Sequence, residues 1–278
     1  MIDLHTHSNF SDGSETPETI MQMAAEAGLS AIALTDHDSF DGLERAKRKS
    51  RELGVNLIPG CEVSCIYQNT SAHVLCYFVS DSTTPLGIEL ENLKIDRMTR
   101  NERLISKLNE LGVDISLDEV IEEANGNLVG RPHFAQVLLD HKVVTSIDEA
   151  FSKWLGSAGK AYIEKARITL EQLSQIAKSS GAITSLAHPL INELTIDELD
   201  NRLYEIKELG ISAMECYYGR YDLETRAELV RLARKHQLVP TGGSDFHGKY
   251  KPDLFVGKGQ GDLEVPDEVV EELLSLKN

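Results

Sequence analysis

The chain has 278 residues, 41% of them hydrophobic and 26% charged, a mixture that can bury a core without disulfide staples and is unlike a disordered chain. Its 45 Asp and Glu against 28 Lys and Arg give a formal charge of −17, which excludes a protein that coats DNA or RNA by neutralising phosphates. An anionic substrate must therefore meet local positive charge, such as bound metal ions.

The opening segment Met1–His7 runs into a first strand expected at Ile2–Leu4, and it lacks the basic and apolar stretches of a secretory leader. Thr16-Pro17 marks a helix start, and a helix is expected near Glu18–Ala27. A strand at Ala31–Leu34, a helix at Gly42–Leu53 and strands at Asn56–Ile58 and Val74–Val79 follow. The rhythm then breaks: residues 94–165 show helical periodicity, as in Arg97–Leu111 and Leu117–Ala124, without a convincing parallel strand. Beyond them a helix is expected at Leu170–Ser179, a strand at Ala182–Leu186 and a helix at Ile196–Leu209. A strand at Ser212–Cys216, a helix at Leu223–His236, a strand at Leu238–Thr241 and a final helix at Pro266–Leu276 complete the chain. Gly28, Gly54, Gly181 and Gly210 each follow a helical stretch, as a C-terminal cap does. This alternation predicts an α/β fold: a (β/α) barrel of about seven strands from residues 1–93 and 166–278, with a helical subdomain inserted at 94–165.

No run reaches the ~18 apolar residues of a membrane-spanning helix, so no membrane partner is expected. Cys61, Cys65, Cys76 and Cys216 form no C-x-x-C pair and read as reduced core thiols, which points to a cytoplasmic setting.

The chemistry gathers where strands end or begin. His5 and His7 leave the first strand, with Asp12 shortly after; His37 follows the second, Glu62 the third, and His73 opens the next. His188 follows the strand after the insertion, and Asp245 and His247 follow the last. In parallel-strand barrels the functional groups sit at such ends. A single histidine of this kind is more often hydrogen-bonded scaffolding. H-x-H and D-x-H, however, each put two donors on one face, because side chains in a strand alternate with period two. Two such pairs entering one barrel mouth are hard to account for as packing, since buried imidazoles and carboxylates are costly unless they coordinate metal. The nitrogen and oxygen donors suit Mn, with Zn or Fe as alternatives, and nine of them suit two or three ions.

In this order His5-x-His7, Ser11-Asp12-Gly13, Thr35-Asp36-His37, Gly60-x-Glu62, His73, Ala187-His188-Pro189 and Gly243-Ser244-Asp245-x-His247 resemble the PHP (polymerase and histidinol phosphatase) phosphoesterases over nearly the whole chain. The resemblance implies a distorted (β/α)7 barrel with three divalent metal ions. One ion would take His5, His7, Glu62 and Asp245, a second Glu62, His73 and His188, and a third Asp12, His37 and His247, with Glu62 bridging. Gly130-Arg131-Pro132-His133 inside the insertion resembles the subgroup that acts on nucleotides, where the insertion caps the substrate. Arg131 and His133 would hold substrate phosphate and His133 would act as general acid, while Lys160 resembles a subgroup lysine, with Ala161 where proline is expected.

The expected function is a metal-dependent phosphohydrolase using a metal-activated hydroxide on phosphate monoesters of small nucleotides, foremost nucleoside 3′,5′-bisphosphates or 5′-nucleotides. Hydrolysis of short RNA from its 5′ end and a histidinol-phosphate-type phosphatase are alternatives within the same chemistry. An amidohydrolase or a non-catalytic metal-binding protein are alternatives outside it. His141 and His236 read as packing or surface residues, Asp36 and Asp38 as supports for neighbouring ligands, and Lys249 and Lys251 as solvated.

Overall fold

The computed structural model describes residues 1–124, 128–164, 168–191 and 194–277. In chain order it contains β1 (Ile2–Asp3), α1 (Pro17–Glu26), β2 (Ala31–Leu34), α2 (Leu43–Leu53), β3 (Asn56–Tyr67), β4 (Thr70–Tyr77), α3 (Pro85–Glu110), α4 (Leu117–Ala124), α5 (Arg131–Asp140) and α6 (Ile147–Ala150). A π-helical turn at Phe151–Leu155 precedes β5 (Ile168–Thr169), α7 (Leu170–Ser179), β6 (Ile183–Leu186), α8 (Ile196–Glu208), β7 (Ala213–Tyr218), α9 (Leu223–Lys235), β8 (Val239–Gly243) and α10 (Glu268–Ser275). The chain divides into two compact units, Met1–Leu90 with Arg167–Asn278, and Glu91–Ala166. The first division falls inside α3, which begins well before the helical periodicity at Arg97; the expected boundary at 165/166 lies outside the described residues.

In the larger unit the strands run β1-β2-β3-β4-β6-β7-β8, a nearly closed barrel of seven, with β5 attached to β3. The ring closes where the Leu4 N–H donates to the Gly242 carbonyl at 3.1 Å and the Asp245 N–H to the His5 carbonyl at 2.8 Å. Closure depends on Gly243, because a Cβ there would stand 2.4 Å from the Cβ of His5. Ile2, Leu4, Ile58, Leu75, Tyr77 and Val239 fill the interior, and Val269 and Leu273 of α10 pack into the same cluster. Helix α1 begins as the sequence predicts: the Thr16 hydroxyl accepts from the Thr19 N–H at 3.2 Å, and Pro17 occupies the first turn.

The departure from a regular (β/α) repeat lies at β3–β4. The sequence reading expects a short strand at Asn56–Ile58, whereas β3 continues for 12 residues and turns back directly into antiparallel β4. Gln68 and Asn69 make the turn with φ of 48° and 62°, the doubly left-handed geometry that matches the twist of a two-residue hairpin. Without a glycine at either position the turn carries no ordinary sequence signal. Its effect on function is direct. Glu62 lies inside a strand instead of after one, and His73 lies two residues from Leu75, the partner of Glu62 across the ladder. Side chains two apart share a face, so the hairpin delivers Glu62 and His73 together.

The smaller unit is helical and has its own core, in which Leu104, Leu108, Val120, Phe134 and Leu138 are buried. The four cysteines are buried and none forms a disulfide. No helix among the described residues is long and apolar enough to cross a membrane.

Candidate metal centre

All nine donors expected from the sequence fall in groups that place ligand atoms within 4.8 Å of one another. His7, Asp12, His37 and His247 form one group; His5, His7 and Asp245 a second; His5, Glu62 and His188 a third; His37, Glu62 and His73 a fourth. His5, His7, His37 and Glu62 each belong to two groups, so the groups overlap into one centre. The partition differs from that implied by the family resemblance: His7 also joins the Asp12, His37 and His247 group, Glu62 is absent from the His5, His7 and Asp245 group, and Glu62 groups with His5 and His188 and with His37 and His73.

Glu62 is the hub. Its Oε1 lies 2.9 Å from His73 Nδ1 and 3.0 Å from His188 Nε2; its Oε2 lies 3.2 Å from both His5 Nε2 and His7 Nε2 and 3.3 Å from His37 Nδ1. Asp245 Oδ1 stands 3.4 Å from His7 Nε2 and 3.4 Å from His247 Nδ1, and Asp12 Oδ1 stands 3.2 Å from His247 Nε2. Several of these close approaches are misaligned for hydrogen bonding. Both nitrogens of His7, Nδ1 of His37, Nδ1 of His73 and Nδ1 of His188 are buried without a hydrogen-bond partner. Orphaned buried nitrogens are costly. Here they stand among carboxylate oxygens in tight groups, and coordination of cations satisfies such donors, so the residues present fit metal ions.

The charges of the imidazoles and carboxylates at the centre offset one another. Burial works against a charged His7, but the carboxylates of Asp245 and Glu62 outweigh it and raise its pKa to about 9. His5 is raised well above its usual value in the same way, by Glu215, Glu62 and Asp245 against burial. His37 goes the other way, lowered by burial to about 3, and stays neutral. Burial would raise the three carboxylates, yet the surrounding imidazoles hold Glu62, Asp12 and Asp245 well below the usual range. Cation binding must therefore displace protons from His5 and His7. The affinity for a divalent cation, read with Mn2+ as the probe, should rise as the pH climbs toward about 9, with protons released at neutral pH. Calorimetry in buffers of different ionisation enthalpy measures that release, and an affinity independent of pH would contradict it.

The scaffold around the donors is built from residues with no ligand role. Asp36 accepts from the Ser8 N–H, the Ser8 hydroxyl and the Ser11 hydroxyl, each at 2.7 Å, and so fixes the loop between His7 and Asp12. Asp38 accepts from the Ser64 N–H at 2.9 Å, tying the His37 loop to β3. Two donors carry left-handed backbone, His188 with φ of 27° and Asp245 with φ of 56°. For residues other than glycine this stores strain that the surrounding structure must offset.

Four residues stand outside the sequence motifs, and a fifth departs from its sequence expectation. Glu215 and Tyr218 lie on β7 against the centre, and Arg97 and Arg100 lie on α3. Lys251 is not simply solvated: its Nζ donates to Asp245 Oδ2 at 2.6 Å, and it is the one Lys or Arg among the described residues paired with a carboxylate of the centre. A glutamate inside the apolar run of β7 was the available signal for Glu215. His141 and His236 bond to Glu119 and Asp200, away from the donors.

In the smaller unit, α5 starts at Arg131. His133 Nδ1 accepts from the Gly130 N–H at 3.0 Å, which leaves the ring proton of neutral His133 on Nε2. Arg131 donates to the Ile163 carbonyl at 2.8 Å and lies 4.9 Å from the Tyr162 ring centre. Arg100, 7% exposed, donates to Asn101 Oδ1, and Asn101 donates to the Val129 carbonyl at 3.2 Å, bringing α3 beside the start of α5. Burial, with Arg97 and Arg131 nearby, lowers the pKa of Arg100 to about 10. Such a gathering of guanidiniums is suited to an anion. Lys160 Nζ lies 5.3 Å from the Trp154 ring centre.

A family model for the PHP domain matches residues 3–209. The 5′-3′ exoribonuclease Rnm of Escherichia coli is 32% identical over 250 residues, covering 89% of this chain and 85% of that one. The 3′,5′-nucleoside bisphosphate phosphatase of Chromobacterium violaceum is 26% identical over 257 residues, covering 92% and 90%. Among solved structures, one from Bifidobacterium adolescentis described as a metal-dependent phosphoesterase superposes with a TM-score of 0.81 at 29% identity, covering 99% of this chain and 95% of that one.

Proposed function

We propose, given that this chain belongs to the PHP domain family and is a metal-dependent phosphoesterase, that it hydrolyses phosphate monoesters of small nucleotides, foremost nucleoside 3′,5′-bisphosphates. The observation that carries this reading is the set of nine nitrogen and oxygen donors, grouped around Glu62 with buried imidazole nitrogens lacking hydrogen bonds. Three divalent ions, with Mn the preferred metal and Zn or Fe alternatives, would be held by His5, His7, Asp12, His37, Glu62, His73, His188, Asp245 and His247. Bound there, such ions supply activation of water and neutralise charge building on the phosphoryl oxygens.

The protein's own groups do the rest. Arg131 offers a planar fork of donors that orients the phosphate, and Lys160 adds a point charge. His133, whose Nδ1 accepts from the Gly130 N–H, donates a hydrogen bond from Nε2 to the leaving oxygen. The proton that the alcohol gains as the P–O bond breaks comes from the attacking water, so that water and ester become phosphate and alcohol. The charge of −17 disfavours long RNA but leaves room for a short 5′ end, and the likeness to the exoribonuclease favours that as the second reading.

An assay supplemented with Mn2+ decides between them. It compares adenosine 3′,5′-bisphosphate, 5′-AMP, a short 5′-phosphorylated RNA and histidinol phosphate. The bisphosphate is expected to turn over fastest. Equal turnover of all four would defeat the substrate assignment, and fastest release from the RNA would favour the exonuclease.

A further inference from the structure

We propose that Glu215 is a positioning residue that couples two ion positions by holding His5 and His188 with one carboxylate. The assignment rests on the reading of the centre as a multi-ion site. Strand β7 contributes no donor to any of the four groups, yet Glu215 on it is fully buried. Its Oε1 accepts from His5 Nδ1 at 2.9 Å and its Oε2 from the His188 backbone N–H at 2.7 Å. Each contact has a distinct consequence.

At His5 the contact selects a tautomer. A carboxylate only accepts, so Nδ1 carries the proton and Nε2 is the nitrogen left to face the centre, 3.2 Å from Glu62 Oε2 and 3.6 Å from Asp245 Oδ1. At His188 the contact restrains a left-handed backbone, φ 27°, from which the imidazole reaches Glu62 Oε1 at 3.0 Å. His5 belongs to two donor groups, with His7 and Asp245 and with Glu62 and His188. One carboxylate thus stands behind both.

The strand is shaped for this. The register between β7 and β8 shifts between Glu215 and Tyr217, and beyond the shift the Tyr218 hydroxyl reaches Asp245 Oδ2 at 2.9 Å. In a regular strand residues 215 and 218 face opposite sides, and a bulge turns both toward one site. Both donors with left-handed backbone, His188 and Asp245, are therefore held from β7.

Two acceptor oxygens are essential to the role. In Glu215→Gln one oxygen becomes an NH2 group that must face either the His5 Nδ1–H or the His188 N–H, donor against donor. Wild type and Glu215→Gln, loaded with Mn2+ and dialysed, are compared by elemental analysis and circular dichroism. The variant is expected to keep its fold and to lose two ions together, retained about 10- to 100-fold more weakly than in wild type. A full wild-type complement in the variant, or loss of a single ion, would overturn the assignment while leaving the centre intact. A wild type that retains no ions would overturn the centre as well. Should the variant not fold, 15N histidine spectra of the Zn2+-loaded wild type give the answer directly. A proton on His5 Nδ1 and none on Nε2 is expected, and the reverse would sink the proposal.

Discussion

Glu62→Ala is expected to lose at least about a thousandfold in turnover and to lose ions from more than one position, the larger end of what a single group contributes to such a site. The reason is geometric. Both oxygens of Glu62 are surrounded, Oε1 by His73 and His188 and Oε2 by His5, His7 and His37, so no other side chain touches as much of the centre. Removing it also leaves raised-pKa imidazoles without their counter-charge in a buried place. Metal analysis alongside phosphate release checks both halves. A variant that retains the wild-type metal content and rate would remove Glu62 from the centre.

Arg131→Ala is expected to behave differently, keeping its metal content and losing roughly a hundred- to a thousandfold in turnover. Arg131 belongs to the helical unit, where its guanidinium lies against the Tyr162 ring and one donor is spent on the Ile163 carbonyl. The remaining donors suit a phosphate. Arg131→Lys should recover only part of the loss, because an ammonium cannot reproduce the paired donors of the fork. Steady-state phosphate release from a nucleoside bisphosphate, with metal content measured on the same samples, tests this. Activity like wild type in Arg131→Ala would take the residue out of the mechanism.

Much of the barrel was legible because its strands are short apolar runs bounded by glycines and helix caps. Ala31–Leu34 and Leu170–Ser179 coincide with the predicted elements, and β6, β7 and β8 differ by one or two residues at their ends. The donors were legible for a different reason. H-x-H and D-x-H at strand ends declare their shared face without any knowledge of the tertiary structure.

What escaped the sequence reading depended on tertiary context. The hairpin after β3 was missed because Gln68 and Asn69 adopt left-handed backbone without a glycine to announce it. Helix α3 begins at Pro85, and its buried face runs through Leu86, Leu90 and Leu93 to Leu104 and Leu108, but the polar Arg100 and Asn101 in the middle of that face interrupt the apolar pattern in the sequence. Lys251 looked like any loop lysine until the fold set it against Asp245. Glu215 is a single polar residue in an apolar strand, and its meaning depends on partners 210 positions earlier and 27 positions earlier in the chain.

The seam between the first and last strands has a bearing on how the molecule assembles. Leu4 pairs with Gly242 and His5 with Asp245 across almost the full length of the polypeptide, and contacts of such long sequence separation form late and slowly. Cations that need donors from both edges of that seam would find their full set only in the closed ring. Ions held there would tie the two edges together, and on chelation hydrogen exchange is expected to quicken first at the Leu4 and Asp245 amides that close the seam.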